Sequence, residues 1–166
     1  WDIEAHLEHL AQSLERLEQQ ALALVQAHAD LRRRFERLVS VRGIATTSAL
    51  RILAELAVLP ADMTARQWVA HAGLDPRQLE SGTSLHKPAR ISKKGNRHLR
   101  AALYMPALVA AREEPYVRGF YQQRIARGLK PLQALVAIER KLLHAIHGMW
   151  ATDTNFDGPK FYVDAA

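Results

Sequence analysis

The sequence predicts an all-α protein: a long N-terminal coiled-coil helix leading into a compact helical domain that contains a helix-hairpin-helix-like motif. Two observations carry this. Apolar residues over 3–38 recur at alternating spacings of three and four. Beyond residue 40, apolar sets at helical spacing are separated by glycines, prolines and capping residues. With 166 residues and 48% hydrophobic content, the chain can build one modest core plus an extended element. The expected divisions are a coiled-coil arm over 1–38, a helical domain over 39–150, and a turn-rich tail over 151–166 that is docked or frayed.

In the arm, Leu7, Leu14, Ala21, His28 and Phe35 share one heptad position, and Ile3, Leu10, Leu17, Leu24, Leu31 and Leu38 share the other. Neither Pro nor Gly interrupts the run. It reads as one helix of about 50 Å at ~1.5 Å per residue. A seam that long calls for a partner helix, hence a homo-oligomer; the alternative is a long helix packed on its own domain. His28 reads as a tolerated polar seam residue that helps fix register.

Val41-Arg42-Gly43-Ile44-Ala45 follows as a turn, with Thr46 or Thr47 as N-cap of the next helix (Ala49, Leu50, Ile52, Leu53, Leu56). Gly43 permits positive φ. A helix-hairpin-helix would bring the hairpin amides, here at Gly43 and Ala45, to a nucleic-acid phosphate; an ordinary helix-helix turn is the alternative. Thr64-Ala65-Arg66-Gln67 has capping-box spacing. It opens a short helix with Trp68, Val69 and Ala72, closed by Gly73. Residues 75–96 carry the breakers Asp75-Pro76, Ser81-Gly82, Lys87-Pro88 and Gly95-Asn96, and read as a long functional loop. Asn96 then caps a helix bearing Leu99, Leu103 and Ala107, which Pro106 should kink. A further helix carries Tyr116 to Ile125 and stops near Gly128. The last starts at Pro131 and presents Leu132, Leu135, Val136, Leu142, Leu143, Ile146 and Trp150, interrupted by Glu139, Arg140 and Lys141.

Charge is placed rather than spread. The chain is +6 overall, with a pI near 10.0. From Ser81 to Arg112 there is no acidic residue but there are seven cations: Lys87, Arg90, Lys93, Lys94, Arg97, Arg100 and Arg112. Four of them crowd the amino end of the Asn96-capped helix, where the helix dipole is already positive and each cation costs on the order of 0.3–1 kcal/mol. An incoming phosphate reverses that sign. Lys87, Arg90, Lys93, Lys94, Asn96, Arg97 and Arg100 are therefore the candidate nucleic-acid contacts. The alternative is a solvated basic loop.

Cysteine is absent, which removes disulfides and thiolate metal sites. No apolar run approaches the ~20 residues of a membrane span. His144 and His147 share a face, but no acid or Cys completes a metal site there, and none is expected. Nor is a Ser/His/Asp triad legible. What remains is Glu80-Ser81-Gly82 beside the cationic stretch. A serine hydroxyl attacks a phosphodiester when cations neutralise its oxygens and the leaving oxygen is protonated.

Several segments, in order, resemble the C-terminal domain of an insertion-sequence transposase family. They are Gly43-Ile44-Ala45 with Ala49; Ala72-Gly73-Leu74-Asp75-Pro76; Ser81-Gly82; Ile91-Ser92-Lys93-Lys94-Gly95-Asn96; Leu99-Arg100-Ala101-Ala102-Leu103-Tyr104; and Arg140-Lys141-Leu142-Leu143. The likeness covers residues 38–150. Full-length members join a RuvC-like domain, a coiled coil and this domain. The resemblance implies DNA recombination directed by a bridging guide RNA, in the bacterial cytoplasm. It makes Ser81 the nucleophile and puts the Mg²⁺-binding acids in the N-terminal domain, so this fragment needs no cofactor of its own. Ala45 stands where the family's second hairpin glycine is usual. Two rival readings are a non-catalytic helix-hairpin-helix DNA-binding module, with Ser81 dispensable, and a coiled-coil assembly protein.

Overall fold

A computed structural model describes residues 1–81 and 85–163, with backbone alone over 77–81 and 85–90. The expected arm is two helices, α1 (Asp2–Ala27) and α2 (Ala29–Val39), divided at His28. His28 has extended backbone (φ −114°, ψ 112°), and its carbonyl accepts the first bond of α2, from Arg32 N at 2.9 Å. The single helix over 3–38 is thus corrected, and the reason is packing. The α1 seam stays exposed at Ile3, Leu7, Leu10, Leu14, Leu17 and Leu24, whereas Phe35 and Leu38 of α2 enter the domain core. The second half of the pattern finds its partner within the chain. Val25 and Leu22 turn the end of α1 onto the same core, and Thr47 Oγ1 donates to Glu18 of α1 at 2.6 Å.

α3 (Thr46–Leu56) follows a turn in which Gly43 has φ +112°. A Cβ on Gly43 would lie 2.8 Å from the backbone nitrogen of Ala110, so only glycine lets the turn seat on the central helix. The expected Thr cap is not used: Ala45 holds the N-cap position and no side chain caps α3. α4 (Ala65–His71) opens with the expected capping box, Thr64 and Gln67 bonding reciprocally. Gly73, at φ +66°, follows it.

The segment expected as a loop contains a hairpin, β1 (Pro76–Ser81) and β2 (Leu85–Ile91), paired antiparallel from Pro76↔Ile91 to Ser81↔Leu85. Its register shifts between Arg77 and Leu79, opposite the Pro88 region, where proline has no N–H for a regular ladder. Only Ile91 among these residues is β-branched, which is why alternation and propensity do not announce a strand.

α5 (Arg97–Glu113) runs through Pro106 and is the central helix, touching α3, α6 (Pro115–Ala126) and α7 (Pro131–Thr152). Leu99, Leu103 and Ala107 are fully buried against Leu142, Leu143, Ile138 and Ile146 of α7 and Ile52 of α3. Each such Leu or Ile contributes about 1.5–3 kcal/mol by leaving water. Leu132 is an exception to the expected α7 face, being exposed; Glu139, expected as an interruption, is buried. The tail docks through α8 (Gly158–Phe161), whose Phe161 and the following Tyr162 pack edge-on against Phe120. No described helix is long and apolar enough to cross a membrane.

Candidate nucleic-acid interface

The base of the hairpin is strapped to the end of α4. Lys93 N donates to Gly73 O, Ser92 N to Asp75 O and Asn96 N to His71 O, at 3.0, 2.9 and 2.7 Å. The Ser92 hydroxyl closes the strap on the Asp75 carboxylate, and Arg100 Nη1 donates to Ala72 O at 2.7 Å. A Cβ on Gly95 would fall 2.2 Å from His71 O, so the two strands of this strap meet backbone to backbone. From that clasp β1 runs outward. Ser81 is its last residue, about 16 Å from Pro76 at ~3.3 Å per residue. The side chain of Ser81 lies outside the described residues, as do Gly82 and Ser84.

Asn96 caps α5: its Oδ1 accepts from the amides of His98 and Leu99 at 2.9 and 3.0 Å. Its amide nitrogen donates to Glu55 of α3. Asn96 thus caps the helix as expected, and two of the amides at this end are engaged by the cap. Arg100, bonded to Ala72 O, is a brace of the clasp. The exposed cations are Lys93, Lys94 and Arg97, none with an ion-pair partner among the described residues. Lys93 adopts φ +53°, a left-handed backbone rare for a lysine. Lys87 and Arg90 lie on β2, and their side chains are outside the described residues. Gly43 and Ala45 stand apart: Gly43 seats on Pro106 and Ala110. Those residues lie some 15–20 Å along α5 from Arg97 at ~1.5 Å per residue. The candidate contacts therefore form two places, not one.

Behind the cluster lies a group that the sequence reading places only as an interruption. Glu139 is 2% exposed, and its Oε2 accepts no hydrogen bond. Burial pushes its carboxyl up to about 7, with the Arg100 charge pulling the other way. His147 bonds Met63 O at 2.9 Å, and no described cluster of His, Asp or Glu is placed to hold an ion. Asp75, Ser92, Glu55 and His71, which position the basic cluster, escape sequence reading because their partners are 17 to 41 residues away.

Residues 35–122 match the model of the IS116/IS110/IS902 transposase family. The chain is 28% identical to a pilin gene-inverting protein of Moraxella bovis, over 92% of this chain and 48% of that protein. The Moraxella lacunata protein of the same name gives the same figures. A 43.6 kDa protein of insertion element IS110 from Streptomyces coelicolor is 29% identical over 85% of this chain and 34% of its own length. The chain thus spans about half the length of the Moraxella relatives. The matched residues take in the end of α2, α3 to α5, the hairpin and most of α6, and the chain belongs to the IS116/IS110/IS902 transposase family.

Proposed function

We propose that this chain is the backbone-gripping, serine-bearing part of a DNA recombinase. Lys93, Lys94 and Arg97 hold phosphates of DNA, and of a guide RNA, while the hairpin presents Ser81 to a phosphodiester. The observation that carries the reading is the clasp. It fixes three cations, unpaired among the described residues, at the root of the hairpin whose outer strand end is Ser81. Like charges at a helix amino terminus are unfavourable in the free protein, and an anion relieves them. The relatives' name, pilin gene-inverting protein, fits DNA strand exchange.

In the chemical step the Ser81 oxygen bonds to phosphorus as the bond to the departing sugar oxygen breaks. The serine proton passes to a base, and the departing oxygen gains one. The test belongs in the full-length protein with its RNA and DNA. Ser81→Ala should abolish a protein–DNA adduct that survives boiling and detergent, and abolish recombination, while leaving DNA affinity nearly intact. Ser84→Ala should keep both. Recombination persisting in Ser81→Ala would return the hairpin to a purely binding role.

A further inference from the structure

A cavity of about 360 Å³ opens between α2, the α3–α4 link and the end of α7, sharing no residue with the basic clasp. Trp68 and Trp150 meet in its wall edge to face, centroids 5.5 Å apart, and His147 meets Trp68 edge-on at 4.9 Å. The Arg34 guanidinium lies over the Trp150 ring, 5.1 Å from its centroid. Arg33 and Arg37 complete the rim. Carboxylates orient all three arginines. Asp30 binds Arg33 and Arg34 at 2.6 and 2.9 Å, and Asp153 accepts from Arg37 Nε at 3.1 Å. Both terminal nitrogens of Arg34, and one each of Arg33 and Arg37, remain without a partner among the described residues. Trp68 is 7% exposed, and its indole nitrogen is sealed from solvent with no hydrogen-bond partner among the described residues.

These features select a ligand class. A free phosphate leaves the aromatic walls unmatched. An aliphatic guest leaves the guanidinium forks unmatched. A flat heterocycle joined to an anion matches both. The volume falls in the range of small-ligand sites, about 300–1,000 Å³, too small for a duplex but sufficient for one nucleotide. Single-stranded nucleic acid is recognised in this way, with bases splayed onto aromatic and guanidinium planes. We infer that the cavity receives one unstacked nucleotide of a single-stranded or looped segment. Its base lies against Trp150 and Arg34, and its phosphate lies on Arg33 and Arg37. The inference rests on the nucleic-acid reading above and adds a second site, for single strands.

Trp1 is fully exposed at the chain start, so Trp1→Phe leaves Trp68 and Trp150, both in the cavity wall, as the fluorescent reporters. That protein is titrated with a short single-stranded uridine-rich RNA and, separately, with duplex DNA. The RNA should quench the tryptophans and the duplex should not. Adding Arg34→Met, which keeps much of the side-chain stem, should weaken the quenching titration about fivefold or more, with far-UV circular dichroism and duplex affinity unchanged. If that variant fails to fold, the half-exposed Arg33→Met serves instead, with the same expectation. A 4-thiouridine RNA should photo-crosslink to a peptide containing Trp68 or Trp150. Duplex binding without RNA quenching, or quenching indifferent to the arginine variants, would overturn the site and leave the proposed function standing. Quenching by an acidic aromatic peptide but not by RNA would assign the cavity to a protein partner and overturn it too. Loss of binding to both nucleic acids would remove the proposed function as well.

Discussion

Glu139 shows what a single side chain can cost a core. Its carboxyl is buried on α7 with one oxygen unbonded, and burial raises it to about 7. The folded form therefore holds this proton more tightly than the unfolded chain, whose carboxyl titrates near 4.5. Stability falls as pH rises through the interval between those values, and the penalty is complete above the folded pKa. Glu139→Gln should remove that pH dependence and raise neutral-pH stability by up to about 2–3 kcal/mol. Thermal melts of both proteins from pH 5 to 8 check this; parallel curves would contradict it. The charge of Glu139 was legible in the sequence, but its burial was not, because it stands beside Arg140 and Lys141 in a run of three charges that reads as a solvated face. Asn96 is the opposite case. Its capping role was legible from its position before an apolar helix, whereas its bond to Glu55 required α3 to be placed beside it.

Among the elements, the arm is where sequence and structure part most instructively. The heptad run is continuous in sequence, yet the chain breaks at His28, since a pattern of apolar spacing does not say which partner satisfies it. α2 satisfies its half against α3 and α7. α1 leaves Leu10, Leu14 and Leu17 exposed, with no partner that covers them among the described residues. We expect α1 to pair with a second copy. Leu14→Asp and Leu17→Asp should shift sedimentation toward monomer without lowering the melting temperature of the domain, because neither residue touches its core. A wild-type chain that is monomeric at every accessible concentration would remove this pairing. The hairpin was hidden for a different reason: its strands carry Pro76, Pro88 and little β-branching, so they read as breakers.

Across the whole molecule, the decisive feature is uneven charge. Residues 81–112 carry +7 in a chain of net +6, so the remainder is close to neutral. That stretch was legible from the sequence alone. Which of its cations are available was not: Arg100 is tied to the clasp, while Lys93, Lys94 and Arg97 stay exposed. A protein that grips phosphates releases counterions, so its affinity falls with salt at a slope near −0.9 per phosphate neutralised on duplex DNA. Backbone contacts of this kind position the protein without reading sequence. The most direct measurement is duplex DNA affinity across a salt series, for the wild-type chain and for the Lys93→Ala, Lys94→Ala, Arg97→Ala triple variant. We expect the variant to bind more weakly on any sequence, with a salt slope shallower by about two to three. Wild-type affinity and an unchanged slope in the folded triple variant would place the nucleic-acid surface elsewhere on the chain.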